Sequence, residues 1–150
     1  MRFTERTDIA VRILTYLALL RGEKISIDLL VDRFIGHRSQ VVAAVQELRK
    51  AGMIASTPGR HGGIWICRDP AKIKLAEVVR MFEADFYLTK CMRPEGVCPE
   101  EKCTLYDCCR FRHVLEDALV RFFQPFEETT VADLVSFDDP DQALSVTLAS

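Results

Sequence analysis

Residues 26–66 read SIDLLVDRFIGHRSQVVAAVQELRKAGMIASTPGRHGGIWI, and the punctuation of this stretch decides the fold. Ser26 is a good helix N-cap, and Leu29, Leu30, Val31 and Phe34 give a short helix its apolar face. Gly36 marks a turn. A second helix is predicted over about 39–51, with Val41, Val42, Val45 and Leu48 facing inward and Gly52 ending it. Two short helices joined by a glycine turn form a helix-turn-helix signal, although that pattern also arises by chance. The residues after Gly52 make the pattern more specific. Residues 53–55 and 64–67 read as short strands, and the eight residues between them hold Pro58, three glycines and the cations Arg60 and His61. A helix-turn-helix followed by a basic hairpin is the order of a winged helix-turn-helix. The expected fold class is mainly α with a small β-wing.

Upstream, Ile9, Ala10, Ile13, Leu14, Tyr16, Leu17 and Leu20 recur at helical spacing over 8–20, and Gly22 stops that helix. Downstream, a fourth helix is predicted over 75–82. Residues 84–108 are irregular and hold most of the cysteines. From about Arg110 a long amphipathic helix begins, with Phe111, Val114, Leu115, Ala118, Leu119, Phe122, Phe123 and Phe126 in one stripe. One or two further helical turns are expected over 130–135. The expected organisation is a winged helix over 1–83, a cysteine-rich loop over 84–109, the long helix and its sequel over 110–136, and a flexible acidic tail over 137–150.

The 150 residues are 49% apolar and 28% charged, which excludes disorder for most of the chain. The net charge of −2 hides an asymmetry: residues 1–80 carry +6 and residues 81–150 carry −8. A basic half of this kind is expected to meet a polyanion. No stretch approaches the roughly 18 to 20 apolar residues that span a membrane. The opening residues faintly resemble a signal peptide, but Asp8 and Arg12 interrupt the apolar run and no small-residue cleavage site comes after it. A cytoplasmic location is expected. The chain has no G-x-S-x-G, Walker or H-E-x-x-H motif, and its three histidines lie far apart, so no enzyme is expected.

Duplex DNA is bound by Lys and Arg at phosphates and read by a helix in the major groove. In a helix-turn-helix the first residues of the second helix reach base edges, here Arg38, Ser39 and Gln40. Arg38 suits a guanine edge and Gln40 an adenine. Arg60 and His61, at the hairpin tip, suit a minor groove. Arg2, Arg6, Arg49 and Lys50 are candidate phosphate contacts. Each residue alone is more often a solvated surface charge, and only the ordered set points to DNA.

Five of six cysteines lie between Cys91 and Cys109, which suits metal or redox chemistry better than a disulfide scaffold. Thiolates are soft ligands for zinc or iron–sulfur clusters. Structural zinc favours paired C-x₂₋₄-C knuckles. Here six residues separate Cys91 from Cys98, four separate Cys98 from Cys103, and five separate Cys103 from Cys109. Such wide gaps suit a bulkier cluster, with a single zinc ion or a thiol switch as alternatives. Adjacent Cys108 and Cys109 rarely both ligate one centre. Cys67, in a strand, reads as a buried small hydrophobe. His113 reads as a surface or interface residue, and Asp8 as a first-turn acid that favours the helix dipole.

The stretches MRFTERTDIAVR (1–12), LRKAGMI (48–54), GRHGGI (59–64), CRFRHVL (109–115) and TVADLV (130–135) together resemble the winged-helix iron–sulfur transcription regulators over about residues 1–136. Among them the likeness is nearest to the nitric-oxide-sensing repressors. The resemblance implies a homodimer paired through the long C-terminal dimerisation helix, a palindromic operator in double-stranded DNA, and a [2Fe–2S] or [4Fe–4S] cluster. It implies three cysteine ligands and, in some members, a partner-subunit aspartate at the position of Asp8. Nitric oxide would nitrosylate the cluster, free the helix that carries Asp8, and release DNA. The spacing leaves three triads open: Cys98/Cys103/Cys109, Cys91/Cys103/Cys109 and Cys91/Cys98/Cys103. Cys103 belongs to all three. Ala43 and Ala44 stand where members carry more polar residues, which is expected to alter operator recognition. Rival expectations are a regulator answering to iron, cluster supply or redox state, or a zinc-stabilised or thiol-redox interaction protein.

Overall fold

The computed structural model describes residues 2–33, 37–59, 62–93 and 103–136. Helix α1 covers Glu5–Leu19, α2 Ile27–Arg33 and α3 Arg38–Lys50. Strands β1 (Ile54–Thr57) and β2 (Gly63–Ile66) come next, then α4 (Leu75–Phe82) and α5 (Arg110–Glu128). Single 3₁₀ turns stand at Pro70–Lys72, Lys90–Met92, Tyr106–Cys108 and Asp133–Val135. Phe34, Gly36, Arg60, His61, Cys98 and the 137–150 tail, on each of which an expectation falls, lie outside the described residues.

Helix α1 is the centre of the core and packs against both α3 and α4. Ile9, Ala10, Ile13, Leu14 and Leu17 are buried at the i, i+4 and i+7 spacing that one helix face requires. Burying each Ile or Leu side chain stabilises the fold by about 1.5–3 kcal/mol relative to leaving it in water. On α3 the buried set is Val41, Ala44, Val45 and Leu48, the i, i+3, i+4 and i+7 positions of one stripe. Val42, expected inside, is only half-buried because it lies off that stripe. Ala44, fully buried, takes its place. Its small side chain faces the core, so it is a packing residue and is not placed to read DNA.

Helix α3 ends at Gly52, whose φ of +68° lets Met53 N–H bond back to the Leu48 carbonyl at 3.0 Å. The chain then enters the wing. Strands β1 and β2 are antiparallel, pairing Ile54 with Ile66 and Ser56 with Ile64. On the other edge of β2, Ile25 and Ile64 exchange backbone hydrogen bonds of 3.1 and 2.8 Å. This close approach explains Gly63: a Cβ there would stand 2.8 Å from the Ile25 carbonyl oxygen. Cys67 falls one residue beyond β2 and is exposed, with its thiol donating to the Gly52 carbonyl at 3.4 Å. The expectation that it is a buried hydrophobe fails because strand alternation ends before it.

After α5 the chain returns to the winged helix. Leu75 N–H bonds the Thr129 carbonyl at 3.0 Å and Val131 N–H the Ile73 carbonyl at 2.9 Å. Val131 is fully buried there. The C-terminal half of α5 is anchored by aromatic contacts, with Phe86 and Phe123 centroids 4.6 Å apart and Phe3 6.0 Å from Phe122. The N-terminal half has no such cover among the described residues. Phe111 and Val114 are 63% and 60% exposed.

Candidate nucleic-acid interface and cysteine loop

The start of α3, the candidate recognition helix, is exposed at Arg38 and Ser39. Arg38 is its first residue, and its guanidinium donates to the Asp28 carboxylate of α2. Ser39 is exposed and Gln40 half-buried. Gln40 Nε2 donates to Glu5 Oε2 of α1 at 2.9 Å, and its Oε1 is buried without a partner among the described residues. At the other end of α3, Lys50 pairs with Glu47 at 2.7 Å. Arg49 donates to Ser56 Oγ at 3.4 Å, which sets its cation beside the wing. There it lines a groove of about 410 Å³ between Ser26, Ile27, Pro58 and Gly62. Arg49 therefore lies beside the wing base, whereas Gln40, at the other end of α3, faces α1. Arg38 and Lys50 each hold an acidic partner within the chain, and surface ion pairs of this kind cost little to exchange for a phosphate.

The described cysteines carry free thiols. Cys91 lies in the Lys90–Met92 turn, half-buried, with its sulfur 3.1 Å from Thr89 Oγ1. Cys103 is exposed, and Cys109 is half-buried at the N-cap position of α5. Cys108 is exposed beside it. Asp8 is exposed on α1 and held by Arg12, with Nε–Oδ1 at 3.1 Å and a second contact of 2.8 Å to Oδ2. Among the described residues, no three His, Cys, Asp or Glu side chains converge as a metal site within one chain. His113 is exposed and faces Glu116 at 3.4 Å, in keeping with a surface role.

One contact joins these two regions and has no local signal in the sequence. Glu83, just past α4, accepts from Thr4 N–H at 2.8 Å and Thr4 Oγ1 at 3.1 Å. Thr7 Oγ1 donates to the same carboxylate oxygen. Thr4 makes no side-chain capping bond of its own, so the start of α1 is capped from 79 residues away. This is why α1 begins at Glu5, earlier than its apolar pattern shows.

Burial pushes the Glu83 carboxyl up, but hydrogen bonds from the Thr7 hydroxyl, the Thr4 amide and the Thr4 hydroxyl outweigh it and hold it below the usual glutamate range. A carboxyl depressed in this way stabilises the fold above its unfolded pKa and loses that contribution as pH falls through its folded value. Glu83→Gln is therefore expected to lower the urea midpoint at neutral pH. The gap from the unsubstituted protein should close as the pH falls through the lowered folded-state value of Glu83. A gap of constant size across that range would mean that the Glu83 charge contributes nothing.

The Rrf2 family model, described as an iron-dependent transcriptional regulator, matches residues 3–136. The chain is 34% identical to the HTH-type transcriptional regulator NsrR of Shouchella clausii over 145 residues, which cover 96% of this chain and 95% of the relative. Its identity to the NsrR of Geobacillus kaustophilus is 35% over 136 residues, 90% of each protein. Among solved structures, IscR of T. potens superposes with a TM-score of 0.69 at 19% identity, covering 95% of this chain and 91% of that one. The last likeness shows a shared fold.

Proposed function

Given that the chain belongs to the Rrf2 family of transcriptional regulators, which are DNA-binding proteins and not enzymes, we propose that it is a dimeric repressor whose iron–sulfur cluster senses nitric oxide. The observation that carries this reading is the cysteine loop between α4 and α5. Cys91, Cys103 and Cys109 are free thiols at its two ends, in a chain that matches NsrR relatives almost end to end. As a donor set they fit: three soft sulfurs suit iron and sulfide, and none is consumed by a disulfide. Cys98 is a further candidate within the loop. When bound, the cluster would supply irons open to attack by nitric oxide.

The chain's own part is binding and positioning. Three of the four cysteines hold the cofactor, and Asp8 of the partner subunit completes the set. Asp8 is a hard donor in a soft set, so it is the ligand most easily given up. It already has an alternative partner in Arg12, one helical turn away. Residues 1–83 form the DNA-binding unit, with Arg38, Ser39 and Gln40 at base edges, Arg49 and Lys50 at phosphates, and Arg60 and His61 at the wing tip. Residues 84–109 form the sensing loop, and 110–136 the dimerisation segment. Among the described residues no helix is long and apolar enough to cross a membrane, and the protein is assigned to the cytoplasm with its DNA.

The test is an operator-binding titration with anaerobically purified protein. Affinity is expected to fall steeply with salt, because several phosphates are neutralised, and to fall again on adding nitric oxide as the visible absorption bleaches. Colourless protein holding stoichiometric zinc would refute the cluster. A second reading has the family's iron-dependent character in its favour: iron supply, not nitric oxide, would be the signal. Release of DNA on iron starvation, with no response to nitric oxide, would establish that reading instead.

A further inference from the structure

The first turn of α1 is a junction. On one edge it meets Glu83, eight residues before Cys91 on the approach to the cysteine loop. On another edge, Glu5 accepts from Gln40 in the first turn of α3. Phe3, just before the helix, adds contacts to α5, with centroids 6.0 and 5.8 Å from Phe122 and Phe126. Between these contacts α1 is a rigid body, because its buried face is locked against α3 and α4.

We infer that Glu83 is a positioning residue for DNA recognition: through Thr4 and Thr7 it seats the first turn of α1, and α1 through Glu5 seats Gln40 at the start of α3. The inference rests on the reading of α3 as the recognition helix and of 84–109 as the sensing loop. The physical reason is the geometry of a single oxygen with three converging donors. An anionic group at a helix start is favourable toward the dipole, and here it comes from a different helix, so it fixes where α1 sits as well as whether its first turn forms. A displacement of the chain between Glu83 and Cys91 then reaches Gln40 through two hydrogen-bonded contacts and one rigid helix. Coupling of this kind needs a contiguous physical connection, and the contacts through Thr4, Thr7 and Glu5 supply it.

Two variants test it, Glu83→Gln and Thr7→Val, the second removing one donor while keeping the side-chain shape. The first measurement is amide hydrogen exchange in metal-free protein. Exchange at Thr7 and Asp8, whose amides bond the Thr4 carbonyl, is expected to quicken roughly five-fold in both variants. Exchange at Gln40 and Val41, whose amides bond the His37 carbonyl, is expected to quicken at least about two-fold. Unchanged protection at Gln40 and Val41 would reduce Glu83 to a local cap and overturn the inference. The second measurement is the ratio of operator affinities before and after nitric oxide. That ratio is expected to shrink by roughly five-fold in Glu83→Gln, with the visible absorption per iron unchanged. Equal losses in both states would also overturn it. Should the unsubstituted protein show no response to nitric oxide, the sensing reading fails and the exchange result alone decides the role of Glu83.

Discussion

Cys103→Ser is expected to leave anaerobically purified protein colourless and its operator affinity indifferent to nitric oxide. Cys103 belongs to each of the three triads that the family resemblance leaves open, and it is an exposed free thiol. Serine keeps the size and loses the soft sulfur that iron in a sulfide cluster requires. Loss of a direct ligand should cost at least the roughly 10- to 100-fold in metal affinity that outer partners cost, so iron content should fall to about a tenth or less. Cys108→Ser is the control, since Cys109 beside it occupies the α5 N-cap position. Comparing Cys91→Ser with Cys98→Ser then separates the three triads, because the spare cysteine tolerates the change. Retention of iron and colour in Cys103→Ser would remove Cys103 from the site and the proposed ligand sets with it.

The second large effect concerns α5. Phe111→Glu combined with Val114→Glu is expected to halve the mass seen by sedimentation and to weaken operator binding by roughly 100-fold or more. The 19 residues of α5 include none that is fully buried in the single chain. Phe111 and Val114 lie one turn apart on its uncovered N-terminal half. A helix with that much exposed apolar surface is marginal alone and gains most by burying its stripe against a second copy. Dimeric helix-turn-helix proteins grip two half-sites, so separating the protomers forfeits the contacts of one half. The secondary structure of 5–82 should survive, because its core does not use these side chains. A double variant that stays dimeric would place the interface elsewhere.

The helices are legible in the residues, because helical periodicity and glycine punctuation act within a few positions. Gly52 and the Pro58–Gly63 hairpin set the order of helix, turn and wing, and the match to IscR and the Rrf2 model agrees with it. The α3 core departs from expectation for a local reason: residue type favours Val42, whereas strict spacing selects Ala44. Cys67 departs because one residue at the end of a strand decides between core and solvent.

The candidate site divides along the same line. Residue type and spacing alone identify a soft-donor loop between two helices and a helix-turn-helix followed by a basic hairpin, since ligand hardness and charge are properties of the side chains themselves. Only the folded chain decides that Glu83 caps α1 and that Glu5 holds Gln40. The Glu83 and Thr7 partners are 76 positions apart, and nothing in the neighbourhood of either residue encodes the other. Their meeting depends on how α1 and α4 pack over a shared apolar core, and that packing is the sum of many small contacts spread along the chain.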